Sequence, residues 1–294
     1  MIDMTKVNLE NDHVQHWDVV VSPDQPWWNL DLKEIWQYRD LLFLLVRRDL
    51  LAIYKQTVLG PLWQLVQPLL TSLMFAFVFG IMGRMAAEGI PSTLFYMAAV
   101  VPWIFFANVL NKTSTTLVTN ASLMTKVYFP RLIAPLATTL STAVSSLIQL
   151  ALFFIIALGY RLLGGYAWSL DLSILMLPVL LLILVGLGFG LGVIVSAMTT
   201  RFRDLAFLVG FGVQLLMYMS PVIFPLDRVE PGSNLRLALE LNPMTPVIEG
   251  FRAVLIGTYV EWSTLLYSFG WMVGVILVGL AMFRRVERTY VDVV

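Results

Sequence analysis

Six hydrophobic stretches, at roughly 61–83, 94–118, 135–160, 174–198, 205–224 and 262–283, constrain this chain more than any other feature. A spanning helix needs about 20 mainly apolar residues, because the hydrocarbon layer is about 30 Å thick and a helix rises about 1.5 Å per residue. Inside that layer no water satisfies backbone N–H and C=O groups, and a continuous apolar run answers this by helix formation. Composition agrees. The chain is 59% hydrophobic and 13% charged with mean hydropathy +0.81, where a soluble domain carries about 25% charged residues. The expected fold is an all-α integral membrane protein with six transmembrane helices.

Little is left for anything else. Outside the spans of this 294-residue chain lie an N-terminal segment of about 60 residues, short loops and a tail at 284–294. None is long enough for a sizeable soluble core. No G-x-x-x-x-G-K-[ST] phosphate loop occurs, since Gly186–Gly192 alternates glycine with apolar residues and lacks the lysine. Any ATPase, kinase or glycosyltransferase domain would therefore have to be a separate chain, and an ATPase partner would then hold the ATP and its magnesium; no cofactor and no metal is expected in this one. There are no cysteines, which excludes disulfides and thiolate metal sites. His13 and His16 read as solvated loop residues. The first 30 residues are acidic and lack the positive-then-apolar pattern of a secretory leader, so no cleavage is expected.

Lys and Arg in short loops set orientation. With the N-terminus cytoplasmic, the inside collects Lys6, Lys33, Arg39, Arg47, Arg48, Lys55, Lys126, Arg131, Arg201, Arg203, Arg284, Arg285 and Arg288. The outside collects only Arg84, Arg161, Arg228, Arg236 and Arg252. Both termini are expected to be cytoplasmic, with residues 1–30 as an N-terminal extension. Residues 31–56 place Lys33, Asp40, Arg47, Arg48 and Lys55 on one helical face, with Trp36, Phe43 and Tyr54 suited to headgroup level, the pattern of an amphipathic helix lying in the interface. Gly60-Pro61 opens the first span. The loop 119–134 and the loop 199–204 fall inside. Residues 221–261, interrupted by Pro221, Pro225, Pro231, Pro243 and Pro246, read as short helices that dip into the outer leaflet or cap an exit.

Charge is almost absent from the spans, so ion coupling has no obvious carrier; Lys112 is the one clear candidate. Instead there are neutral polar stripes. Asn108, Asn111, Lys112, Thr115, Thr119 and Ser122 share a face, as do Thr138, Ser141, Thr142, Ser145 and Gln149. Gln64, Gln67 and Thr71 run into Phe75 and Phe79, while Phe207, Phe211, Gln214 and Tyr218 align farther on. Such groups glue membrane helices together. They also suit a sugar chain, whose hydroxyls need donors and acceptors and whose apolar faces pack on rings. Phe75, Phe79, Asn108, Phe211, Gln214 and Tyr218 are the residues expected to line a substrate channel. Trp103 lies off the polar face and reads as an anchor at the outer interface. Gly188, Gly192 and Ser196, with Gly186 and Gly190 beside them, form a small-residue ridge for close helix packing.

Four segments carry a family resemblance: YKQTVLGPLWQLVQPLL at 54–70, VPWIFFANVL at 101–110, KVYFPRLIAPL at 126–136 and LNPMTPVIEGFR at 241–252. In order and spacing the chain resembles the permeases of ABC-2 type exporters that move O-antigen, teichoic acid and related polysaccharides across the bacterial inner membrane. The resemblance implies a homodimer of permeases with two ATPase subunits, and a glycan built on a polyprenyl diphosphate as substrate. It implies an ATPase-coupling element at 121–133, with Lys126, Phe129, Pro130 and Arg131 as docking residues, and re-entrant gate helices on the extracytoplasmic side within 221–261. Arg47, Arg48 and Lys55 lie where a lipid headgroup would sit, although general attraction to anionic lipid accounts for them too. Two other readings stay open: an ABC-2 permease for a small lipid or drug, and, remotely, a membrane enzyme acting on lipid-linked sugars. The enzyme would have to draw on Glu249 with Arg252, Asp227 with Glu230, or Arg203-Asp204. Nothing here suggests a nucleic-acid partner.

Overall fold

The computed structural model describes residues 32–290, apart from 56–61, 88, 125, 127, 128, 167, 169, 170, 200, 201 and 203. The extension 1–30, the start of the first span at Gly60-Pro61, and Arg203 therefore lie outside the described residues, as do the side chains of Lys33, Tyr54 and Lys55. Everything described is helix or connection, with no strand among the described residues. Among the described residues five helices are long and apolar enough to cross a membrane. They are α3 (Leu62–Phe75, continued by a π-helical turn Ala76–Met82), α4 (Ser92–Ser114), α7 (Ile133–Leu162), α8 (Leu177–Thr199, entered through a 3-10 turn Leu172–Met176) and α12 (Leu265–Tyr290). Before them come α1 (Leu32–Gln37) and α2 (Arg39–Lys55). The remaining helices are short: α5 (Thr116–Thr119), α6 (Ala121–Met124), α9 (Leu205–Tyr218), α10 (Asn234–Glu240) and α11 (Met244–Ile256).

The core is built around α4. Leu94 through Val101 are essentially inaccessible, and the helix is covered by α3, α7, α8 and α11. Glycines set the closest approaches. A Cβ added at Gly188 or Gly192 would lie 2.9 or 2.6 Å from Val109 or Thr113 of α4, and one at Gly186 or Gly190 would strike Met272 or Val275 of α12. Gly279 of α12 reciprocates, since its Cβ would lie 2.8 Å from the Gly190 carbonyl. The small residues of α8 thus serve two neighbours, one on each side. Trp103 belongs to this core rather than to an interface: it is 3% exposed, with its ring 5.4 Å from that of Phe106. The hydroxyl stripe of α7 turns inward as well. Ser141, Thr142 and Ser145 bond back to carbonyls of their own helix, and the Thr113 and Thr139 hydroxyls meet at 3.0 Å. Thr199 donates to the Ser114 carbonyl at 2.9 Å. This is interhelical glue of the ordinary membrane kind.

The fifth apolar stretch differs from its expected form. The sequence extends it over 205–224, but α9 stops at Tyr218 after 14 residues, about 21 Å of rise. The apolar residues that follow, Val222, Ile223 and Phe224, continue in turns. Non-helical backbone in an apolar surrounding is tolerated only where protein satisfies it, and here the side chains of Arg236, Asn242 and Arg252 do so.

Candidate functional site

Three groups of residues carry the chemistry, and the first is a brace around the end of α9. The amide of Asn242 donates to the Met219 carbonyl at 3.0 Å and to the Ser220 hydroxyl at 2.8 Å. Its own carbonyl oxygen accepts from the Met244 N–H at 2.9 Å, capping α11. Arg252 donates to the Val222 carbonyl at 2.9 Å and pairs with Glu249 at 3.0 Å, and Glu249 also accepts from the Leu226 N–H. Arg236 closes the sequence by donating to the carbonyls of Leu226 and Val229. Arg252 is wholly buried, and its guanidinium sits 4.3 Å from the Phe95 ring centre. This pair is therefore no loop contact of convenience: it is the internal pin between α11, α4 and the end of α9.

The α10–α11 hairpin also reaches far along the bundle. Its apex, Asn242 to Met244, shares one apolar cavity of about 300 Å³ with Phe106, Leu187 and Trp271. Phe106 lies 14 positions beyond Ser92, about 21 Å along α4. The other end of α11 is tied near the start of the spans, where Trp168 donates to the Leu255 carbonyl at 2.7 Å. The sequence reads these helices as dipping into the outer leaflet or capping an exit. In the structure the hairpin's apex carbonyls are capped by Tyr267 on Leu241 and Ser268 on Pro243.

The expected channel residues fall into two sets. Phe75 and Phe79 are half-buried where α3 meets α4, edge to face at 5.5 Å, with Phe75 also 6.2 Å from Tyr96. The π turn Ala76–Met82 holds Phe79 there, and Gly80 permits the approach, since a Cβ would lie 2.7 Å from that of Ser92. Asn108 is half-buried on α4. Phe211, Gln214 and Tyr218 are all exposed on α9, Phe211 by 60% and Tyr218 by 51%. Val213 is the one buried residue on that helix. No ring contact between the two sets occurs among the described residues.

The third group lies at the other end of the bundle, where α2 meets the segment after α4. Leu45 and Val46 of α2 pack on Phe129, Ile133, Ala134 and Ala137. Phe129 is only 4% exposed. The ring expected to dock on another protein lies against α2 and α7 in this chain, where it seats the segment. Lys126 is exposed, and Pro130 and Arg131 are half-buried. Arg48 is engaged too. Its Nε and Nη2 both reach Asp49 Oδ1, at 2.9 and 2.8 Å, and Nη2 also donates to Asn120 Oδ1 at 3.0 Å. Arg47 and Phe43 of α2 and Trp36 of α1 are exposed, Phe43 by 60% and Trp36 by 70%. Sequence reasoning missed the Arg48–Asn120 tie and the reach of Asn242 to the end of α9. The signal for both was an amide beside a helix end, which is too common to single out.

These features agree with what the chain is similar to. The profile of the ABC-2 type transporter family matches residues 40–256. The O-antigen export system permease protein RfbA of Myxococcus xanthus is 29% identical over 224 residues, 76% of this chain and 83% of that protein. Two proteins of the same name from Klebsiella pneumoniae are each 26% identical, over 86% of this chain and 95% of their own length. The matched segment contains α3, the glycine-packed α8, the braced end of α9 and the α10–α11 hairpin, and with them this multi-pass membrane protein belongs to the ABC-2 type transporter family.

Proposed function

We propose that this chain is the permease subunit of an ATP-driven exporter that carries a lipid-linked cell-surface polysaccharide, of O-antigen or teichoic-acid type, from the cytoplasmic to the outer side of the bacterial inner membrane. The observation that carries this reading is the likeness to three permeases named for O-antigen export, over 83 to 95% of their own lengths. The exposed amide and rings on α9 support it, because a hydrated polymer rich in hydroxyls needs such a surface and a small apolar drug does not. Two copies of the chain work with two ATPase subunits. Both termini are cytoplasmic, so α2 lies in the inner interface with Arg47, Arg48 and Lys55 at headgroup level.

Each transport task falls to a separate part. Phe75, Phe79, Asn108, Phe211, Gln214 and Tyr218 line the path once a second copy closes it. Residues 121–133 couple to the ATPase through Lys126, Pro130 and Arg131, with Phe129 anchoring them to α2. The hairpin within 221–261 is the re-entrant gate at the exit. The test is a deletion strain complemented with the full chain and its ATPase. Surface glycan should disappear on deletion and return on complementation, and the purified chain alone should not hydrolyse ATP. Normal surface glycan in the deletion strain would overturn the reading.

A further inference from the structure

Tyr218 is the last residue of α9, and packing does little to fix that end. α9 buries only Val213, so its side chains give it slight purchase on the bundle. Hydrogen bonds hold its last turn instead. The last four carbonyls of a helix lack partners within it, and in an apolar surrounding each has to find one. Asn242 Nδ2 donates to the Met219 carbonyl and to the Ser220 hydroxyl. The Ser220 hydroxyl passes the bond on, donating to the Leu216 carbonyl at 2.8 Å. One amide thus reaches a full turn back into α9, to a residue lying between Gln214 and Tyr218. Both N–H donors of Asn242 are engaged in this way, and its carbonyl oxygen caps α11 at Met244. Its neighbours face the other way. Tyr267 Oη and Ser268 Oγ of α12 donate to the carbonyls of Leu241 and Pro243, each at 2.7 Å. The Thr245 hydroxyl closes the hairpin on itself, donating to the Leu239 carbonyl at 2.6 Å. The apex is therefore a joint, with α12 on one side and α9 on the other.

From this arrangement we infer that Asn242 is a positioning residue for the export path: it fastens the gate hairpin to the turn of α9 that carries Gln214 and Tyr218, so that hairpin and path lining shift together. The inference rests on the path and gate readings proposed above and names what links them. Asn242 acts through the backbone it holds. Gln214 and Tyr218 stand one turn apart on the exposed side of α9. Phe211 lies seven positions before Tyr218 and takes its place from the helix alone. Two hydrogen bonds from one side chain to the same turn fix direction as well as distance, since a shift of about 1 Å takes both out of hydrogen-bond range. Neither an ionised aspartate, which has no donor, nor a serine, which lacks the reach, could replace the amide.

The test uses the full chain with its ATPase in nanodiscs. Spin labels go on single cysteines at 218 and, as internal reference, at 211; the chain has no other cysteine. Asn242→Ser keeps an oxygen that can cap α11 but is too short for Met219. Ser220→Ala removes the link to Leu216 and leaves the cap alone. Tyr267→Phe and Ser268→Ala loosen the same apex on its α12 side. In Asn242→Ser the label at 218 should become several-fold more mobile and the label at 211 should not change. Ser220→Ala should act in the same direction and less. The α12-side variants should lower the thermal midpoint and leave both labels as in wild type. Without labels, export per ATP hydrolysed should fall several-fold in Asn242→Ser while ATP turnover continues, a result that loss of the fold cannot produce. An unchanged label at 218 in Asn242→Ser, or in Ser220→Ala where the first variant does not assemble, overturns the inference. So does equal mobilisation by the α12-side variants, or export per ATP at the wild-type level in Asn242→Ser. Each of these leaves the export reading standing, whereas failed complementation of the deletion strain by wild type overturns the export reading itself.

Discussion

α8 and α9 follow one another in the chain, both apolar and both carrying glycines, yet their surroundings are opposite. Gly186, Gly188, Gly190 and Gly192 of α8 are all points where a Cβ would collide with α4 or α12. Gly210 and Gly212 of α9 have nothing within 4 Å of where a Cβ would stand. α8 buries twelve of its residues, from Leu180 to Thr199, and α9 buries only Val213. Hydropathy cannot separate these helices. What separates them is whether small residues are matched by partners on the same chain. The glycines of α8 are part of the fold, and the face of α9 is left open by this chain.

The sharpest way to break this contrast is to fill the glycines. Gly192→Leu puts a branched side chain where the Thr113 Cβ is already 2.6 Å from an added Cβ and the Leu110 carbonyl 3.1 Å. The helices have to part, and the Thr113–Thr139 hydrogen bond parts with them. Overpacking costs about 1–3 kcal/mol and more when backbone has to move; because both helix backbones have to move here, loss of the fold is expected. In detergent, size-exclusion profiles should show loss of the folded species. Gly212→Leu should leave the profile unchanged. Equal damage from both would remove the distinction between α8 and α9.

Next in size is the pin at the end of α9. Arg252→Met leaves Glu249 buried without its cation, and breaking a buried pair on one side costs about 3–5 kcal/mol. The thermal midpoint in detergent should fall well below that of wild type. Glu249→Gln should cost less, because Arg252 keeps the Val222 carbonyl and the face of Phe95. The double variant Glu249→Gln with Arg252→Met should be milder than the sum of the two. Strict additivity would show that the residues do not act as a pair.

Phe129→Ala removes a ring from the small cluster between α2 and α7. Phe-to-Ala in a core costs about 3–5 kcal/mol, and the low end is expected because this cluster lies apart from the main one. The informative readout is local: hydrogen exchange should rise across 39–55 and 129–137 and leave α4 unchanged. Lys126→Ala should alter neither stability nor exchange but weaken association with the ATPase. If exchange in α2 stayed at its wild-type level in Phe129→Ala, the ring would not be what seats the segment.

The sequence made the five long helices legible because length and apolarity suffice for them. It also identified the glycine ridge, and α8 uses it on two sides rather than one. It overextended α9, because Val222, Ile223 and Phe224 are as apolar as a helix requires. What ends the helix is hydrogen bonding from Asn242 and Arg252, which lie 23 and 30 residues beyond the carbonyls they serve. Arg252 counted as an outside charge in the loop tally, yet it is among the most buried side chains present. Phe129 looked like a knob on a short polar loop, and only the fold brings α2 over it. In each of these cases the deciding partner is remote in sequence, and local pattern carries no record of it.

The smallest expected effect on stability tests the open face itself. Phe211 and Tyr218 are both more than half exposed, so truncation leaves no cavity; Phe211→Ala and Tyr218→Ala should each change stability by about 0.5 kcal/mol or less. Surface glycan in the complemented deletion strain should nevertheless fall, because stacking surface for the polymer is lost. Phe75→Ala and Phe79→Ala serve as the comparison, since those rings pack on each other and on Tyr96 and their loss should cost stability as well as export. The chain lacks cysteine, so single cysteines at 211, 214 and 218 can be probed without background. In an exporting complex they should react with a water-soluble thiol reagent, and cysteines on the exposed apolar side of α7, at 155 and 158, should not. Protection at all three α9 positions would mean that this face is covered by lipid or by helix packing, and the path would have to be sought elsewhere.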